Sequence, residues 1–309
     1  MVELELYKKY RPKTLGDIIG QDVAVKTLEA AAKKNRIPHF ILFTGPSGCG
    51  KTTLARIVRK LLHCSKHDFI EDAPRKIEDV RLIKRRINQA PMKGKCRIWL
   101  IDEAHKLTSD AQDEFFQMLE DGCPSHVYFI FTTTEPQKLK TPIKTRPKEI
   151  TVKALNDKDL SKLLDNVCKK ERIKIDEEVF DKIIENSNGS ARKALVFLDS
   201  VINLKNKQEQ LNSIVTASAE VQAFAIVKAL LYNKKTTWKQ MADILKATEG
   251  EEPEQLRWLI LACCKTEMLK AGHFTARAYI VIDAFRDNFY DSKMAGLAAA
   301  CYECIEGSK

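Results

Sequence analysis

The stretch Gly45-Pro46-Ser47-Gly48-Cys49-Gly50-Lys51-Thr52 decides how this chain folds. It satisfies G-x-x-x-x-G-K-[ST] at every fixed position. Before it stands the apolar, β-prone run Phe40-Ile41-Leu42-Phe43-Thr44, and after it the helix-forming run Thr53-Leu54-Ala55-Arg56-Ile57-Val58. Strand, glycine-rich loop and helix in that order are the setting the motif needs. Glycines let the main chain wrap close to an anion, and successive N–H groups at a helix N-terminus point at it. Residues 45–53 are therefore candidate ligands of a nucleoside triphosphate. Lys51 is placed to reach the β- and γ-phosphates and the Thr52 hydroxyl to ligate Mg²⁺.

Outward from this loop, apolar runs alternate with helical patterns. A helix is expected over about 23–34, then the strand at 40–44 and a helix to about Leu62. A basic segment leads to a helix near 77–88, with Ile77, Val80, Ile83 and Ile87 at helical spacing. Strands follow at 97–101 and 127–131, with a helix near 110–119 between them. Such alternation predicts an α/β, doubly wound parallel sheet. From about Ile150 onward the sequence shows helical patterns without a strand, first short and then longer and rich in Ala and Leu. The expected divisions are an α/β domain over 1–149, a small helical domain over 150–206 and an all-α domain over 207–309.

Two further groups bear chemistry. Asp102 and Glu103 end the apolar run Arg97–Ile101, which brings two carboxylates to the strand ends where the loop also lies. Asp102 is the expected partner of Mg²⁺, and Glu103 the expected base that polarises a water. Thr132-Thr133-Thr134 end the next apolar run, either as ordinary strand residues or as hydroxyls facing a γ-phosphate. Arg146, before Pro147, is either a solvated arginine or a group reaching a neighbouring subunit's nucleotide. Arg192 falls in the first turn of a helix that Ser190 caps, where the helix dipole disfavours a cation, and an anionic ligand would resolve the mismatch.

The net charge of +10 is concentrated: residues 51–100 hold 14 Lys and Arg against 5 Asp and Glu, a net +9. A charge gathered in one window fits a polyanionic partner, or else a solvated basic face. The nine cysteines are scattered without a disulfide framework, which fits a reducing compartment. There is no run of 18 or more apolar residues and no N-terminal signal pattern. A cytoplasmic protein without a membrane partner is expected.

Taken in order, Lys9-Tyr10-Arg11-Pro12, Asp17-Ile18-Ile19-Gly20-Gln21, the glycine-rich loop, Leu100-Ile101-Asp102-Glu103, Thr132 through Leu139 and Gly189-Ser190-Ala191-Arg192 resemble the clamp-loader branch of the AAA+ ATPases. The likeness is nearest the gamma/tau form of bacterial DNA polymerase III and its phage relatives. It implies an ATPase with a helical lid and an all-α collar, the cofactors ATP and Mg²⁺, and catalytic roles for Lys51, Asp102 and Glu103. Tyr10, Arg11, Pro12, Ile18 and Ile19 would line the adenine pocket. Thr134, or else Thr133, would be the first sensor and Arg192 the second, with Arg146 acting in trans on the next subunit's site. Lys76, Arg81 and Arg85 would face the DNA backbone. The implied partners are primer–template DNA, a sliding clamp and other subunits of a pentameric ring. The implied function is ATP-driven loading of the clamp during DNA replication. The alternatives are another AAA+ DNA motor, for helicase or branch-migration work, and a non-hydrolysing stator subunit.

The chain departs from that family in several places. Thr145-Arg146-Pro147 replaces the usual Ser-Arg-Cys, and Gln117 stands where a basic residue is usual. The four-cysteine zinc module of bacterial relatives is reduced to Cys64, with no cysteine until Cys96. His63, Cys64 and His67 fall short of a tetrahedral set. Cys301 and Cys304 are expected to pack in a helix core. The reduced form points to a phage, or to an otherwise reduced system, and a phage would place the protein in its bacterial host.

Overall fold

The computed structural model describes residues 5–233, 236–248 and 251–306. The ends of the first and third expected domains, and two short stretches of the third, lie outside the described residues. Two compact units emerge, one to Asp199 and one from Ser200.

The first unit opens with the single turn α1 (Leu6–Lys9) and helix α2 (Asp22–Lys33). Then follow β1 (Phe40–Thr44), α3 (Lys51–Leu61), β2 (Phe69–Asp72), α4 (Ile77–Arg86), β3 (Arg97–Ile101), α5 (Ser109–Glu120) and β4 (Val127–Thr133). The short α6 (Thr141–Thr145) leads into β5 (Lys148–Thr151). All strand pairs are parallel, in the order β2-β3-β4-β1-β5.

The central strands are mainly apolar because both of their faces are covered. Ile41, Phe43, Ile98, Leu100 and Ile130 face one layer, with Leu28 of α2 and Leu54 and Ile57 of α3. Leu42, Trp99, Ile101, Phe129 and Phe131 face the other, with Val80 of α4 and Phe115 and Met118 of α5. Phe115 meets Phe129 and Phe131 edge-on, at centroid distances of 5.9 and 5.6 Å.

Two strands differ from the sequence reading. β2 lies inside the stretch read as a basic segment, and β5 runs across position 150, from which no strand was expected. Both are sheet edges, carrying Glu71, Asp72, Lys148 and Glu149. Short, charged edges are how open sheets avoid pairing with other chains, and they erase the apolar signal. β4 also extends two residues beyond the expected strand, to Thr133.

Helices α7 (Asp157–Glu171), α8 (Glu177–Ser187) and α9 (Ala191–Val201) follow β5. Side-chain caps from Asn156 and Asp176 start the first two. The N–H of Leu155 donates to Gly189 O at 2.9 Å, fastening the turn before α9 onto the segment leaving the sheet.

The second unit is helical: α10 (Lys207–Val227) with a π-helical continuation over Lys228–Tyr232, α11 (Trp238–Lys246), α12 (Pro253–Leu269), α13 (Thr275–Ala284) and α14 (Lys293–Glu306). Its core holds Ile226, Leu230, Ile260, Val281 and Leu297. Cys264, Cys301 and Cys304 pack in the same core, and burial pushes the thiols of Cys264 and Cys304 up to about 12. The buried pair Glu254–Arg257 is satisfied by the main chain of Phe289 and Phe285. Lys207–Tyr232 is long and apolar enough to span a bilayer, with a mean hydropathy of 1.6, although 56% of that window is buried within the protein. Polar residues such as Gln210 and Gln222 interrupt it, which is why no unbroken apolar run marked it in the sequence.

Candidate functional site

The carboxyl ends of β3, β4 and β1 lie side by side, and the loop leaving β1 sits across them. Gly45 N–H donates to Thr133 O at 3.2 Å, which fixes the start of the loop. A Cβ at Gly45, where φ is +141°, would stand 1.9 Å from Val152 O. One at Gly48, at φ +77°, would stand 2.1 Å from Ser190 Oγ. Only glycine lets the loop pass under the sheet-to-lid segment and against α9 at once.

A cavity of about 180 Å³ opens above the loop. It is lined by Ser47 to Leu54 of the loop and α3, by Asp102 and Glu103, and by Thr132, Thr133 and Thr134. Tyr10, Arg11, Pro12, Ile18 and Ile19 of the arm close one side, and Arg192 of α9 another. Gly45 and Pro46 lie beneath, where their carbonyls each accept from Lys51 Nζ at 2.7 Å. Burial pushes the Lys51 pKa below its ordinary value.

The acid loop is held from β4. The Thr132 hydroxyl donates to Asp102 Oδ1 and accepts from the Glu103 N–H at 3.3 Å. Glu103 has φ +52°, a strained setting for a residue with a Cβ, at the step from β3 into the turn Ala104–Lys106. Its carboxylate pairs with Lys106 Nζ. His105 Nδ1 lies 3.2 Å from Thr133 Oγ1 and its Nε2 3.5 Å from Glu135. Burial pushes the His105 pKa down, which favours the neutral ring.

The sequence named Thr132 only as one of three threonines at a strand end, and gave His105 and Lys106 no role. Thr134 and Thr133, the two candidate sensors, both line the cavity, Thr134 being exposed on its wall, and the hydroxyl on Asp102 is that of their neighbour Thr132. Gln21 was also missed as a tie: its amide donates to Lys153 O at 2.6 Å and accepts from Lys153 N–H at 3.0 Å. That pair joins the arm to the segment after β5.

The donor set suits nucleotide with a hard cation. Backbone N–H groups, Lys51 and Arg192 supply donors that suit anionic oxygens, while Thr52 and Asp102 offer only oxygen, as Mg²⁺ prefers.

Arg146 is not in this cavity. It donates to Glu120 at 2.5 Å and lies over the Phe116 ring, 5.5 Å from its centroid. Lys76 is the exposed N-cap of α4, and Arg85 is exposed in its last turn. Arg81 lies 3.6 Å from Glu114, which also pairs with Lys84 at 3.1 Å. Among the described residues no group of three or more His, Cys, Asp or Glu is disposed to hold a metal. Near the missing zinc module, Asp68 instead ties the loop together. Its carboxylate accepts from Ser65 Oγ and from the N–H groups of Met92, Lys93 and Gly94, at 2.5–3.0 Å.

Residues 41–155 match the model of the ATPase family associated with various cellular activities (AAA), and residues 162–202 that of an RCF1/5-like AAA+ ATPase lid domain. The first unit is thus an AAA+ ATPase module with its lid, and nucleotide binding belongs to that class. The DNA polymerase III subunit gamma of Buchnera aphidicola subsp. Schizaphis graminum is 32% identical over 257 residues, covering 73% of this chain and 69% of that protein. The chain belongs to this DNA polymerase III gamma/tau family. The gamma/tau subunit of Mycobacterium tuberculosis (strain ATCC 25618 / H37Rv) is 30% identical over 225 residues, 64% of this chain but 39% of its own. The chain therefore spans about two fifths of the length of that relative. Among solved structures, the Thermotoga maritima RuvB Holliday junction branch migration motor superposes with a TM-score of 0.58 at 21% identity, over 78% of this chain and 87% of that one. That likeness concerns the fold.

Proposed function

We propose that this chain is an ATP-driven motor subunit of a clamp loader, which opens a sliding clamp and places it on primer–template DNA. One observation carries the reading: a single cavity gathers the glycine-rich loop, the acid pair, the arm and the lid arginine, in a chain of the gamma/tau family.

In this reading ATP is the substrate. Its base lies against Tyr10, Pro12 and Ile19, and its phosphates lie on the N–H groups of residues 48–52. Lys51 exchanges the carbonyls of Gly45 and Pro46 for phosphate oxygens. Thr52 and Asp102 would hold Mg²⁺, which would neutralise charge on the phosphates. Glu103, turned from Lys106 toward the cavity, accepts a proton from the attacking water as the new bond to the γ-phosphorus forms and the bond to the β-phosphate oxygen breaks. Thr132 keeps Asp102 and the Glu103 main chain in register, with Thr134 as the hydroxyl nearest solvent. Arg192 follows the γ-phosphate and moves the lid with it. Arg146 of one subunit serves the cavity of the next in a pentameric ring.

The functional division is an α/β motor over 1–149, a lid over 150–206 and a collar over 207–309. Lys76, Arg81 and Arg85 lie on or beside one exposed helix in the basic window, suited to phosphates rather than bases. The work is cytoplasmic, where the DNA is.

The reading is tested by incubating the chain, with the subunits it assembles with, with its sliding clamp, primed circular DNA and ATP. Recovery of clamp on DNA only with ATP supports it. Strand separation without any need for the clamp would instead indicate a helicase-type motor.

A further inference from the structure

Tyr7 lies outside every motif quoted above, yet it lines the nucleotide cavity. It sits in the one-turn helix α1, which buried Leu6 anchors. The turn is also bound to the lid: Lys9 pairs with Glu171 at the end of α7, at 2.5 Å. The guanidinium carbon of Arg192 stands over the Tyr7 ring, 5.8 Å from its centroid. Lys8 approaches the same ring at 5.4 Å. The Arg192 main chain is fixed separately, its N–H donating to Gly48 O at 3.3 Å.

The type of contact matters. A carboxylate partner would occupy guanidinium N–H donors, as Glu120 does for Arg146. An aromatic ring takes the face of the guanidinium and leaves the in-plane donors to phosphate oxygens. A long arginine side chain also loses much rotamer freedom when it engages a ligand, and a ring that already orients it lowers that cost.

We propose that Tyr7 is the positioning residue for Arg192, holding the guanidinium over the cavity with its donors available, and so sets how strongly the site prefers a triphosphate over a diphosphate. The proposal rests on the reading that Arg192 engages the terminal phosphate.

The test is equilibrium titration of the full chain with a non-hydrolysable ATP analogue and with ADP. It compares wild type, Tyr7→Leu, Tyr7→Phe, Arg192→Ala and the double variant Tyr7→Leu/Arg192→Ala. Leucine keeps apolar bulk and removes the π face. Tyr7→Leu should weaken the triphosphate about fivefold and leave ADP within about twofold. Tyr7→Phe should retain wild-type preference, and Tyr7→Leu should add nothing once Arg192 is gone. The proposal is overturned if Tyr7→Leu weakens both nucleotides equally, weakens neither, or still acts without Arg192. If Arg192→Ala itself keeps the triphosphate preference, the underlying reading of Arg192 falls, and the proposal with it. If Arg192→Ala loses the preference and Tyr7→Leu does not, only the proposal falls.

Discussion

The Lys51 ammonium donates to the carbonyl oxygen of Gly45 at 2.7 Å, so the one lysine of the loop is folded back on the loop's own main chain. Lys51→Met should lower nucleotide affinity and turnover by at least about 10²-fold, read by titration and phosphate release. Because burial lowers the folded-state pKa of Lys51, its charged form costs stability at neutral pH. The unfolded chain holds more protons between that lowered value and the ordinary lysine range, so wild type gains stability as pH rises through this window. Lys51→Met should therefore melt above wild type at pH 8, with the gap narrowing toward pH 10.

Glu103 pairs with Lys106 and sits at the strained start of a turn. Glu103→Gln keeps the shape and hydrogen-bonding reach but removes the base. Turnover should fall about 10²–10⁴-fold, with ATP affinity held, as read by single-turnover kinetics beside equilibrium binding. Equal losses in both would contradict the role.

Arg146 and Glu120 are each more than two-fifths exposed, so their ion pair adds little to stability. Arg146→Ala should leave the melting temperature and single-subunit nucleotide affinity near wild type. In the assembled ring it should cut turnover by about 10³-fold or more. The same loss in an isolated monomer would contradict action in trans.

Asp68 is fully buried, and burial opposes its ionisation. The Ser65 hydroxyl and three backbone N–H groups nevertheless hold its carboxyl well below the usual carboxylate range. A depressed folded pKa gives stability that is present above the unfolded value and lost as pH falls through the folded one. Asp68→Ala should cost about 2–3 kcal/mol at pH 7 by urea unfolding. The gap should shrink steadily below about pH 3.9, where the unfolded carboxyl takes its proton.

The central sheet was legible because β1, β3 and β4 are buried on both faces and read as unbroken apolar runs. β2 and β5 were not, since edge strands carry charge where the core strands carry Ile and Phe. The glycine-rich loop and acid pair were legible because fixed spacing encodes main-chain geometry. The hydroxyl on Asp102 was not. Three threonines stand in a row, and the pairing of Ile101 on β3 with Phe131 on β4 decides that Thr132 is the one beside the acid loop. Tyr7, Gln21 and Lys106 act through chain-distant or turn contacts that no local pattern marks.

The central claim is that nucleotide turnover in this cavity answers to DNA and a clamp. The most direct measurement is steady-state ATP hydrolysis by the chain with its partner subunits, titrated with primer–template DNA in the presence and absence of the sliding clamp. Turnover should rise with primed DNA and rise further with the clamp, and Glu103→Gln should abolish both responses. A rate indifferent to primed DNA and clamp alike would contradict the account.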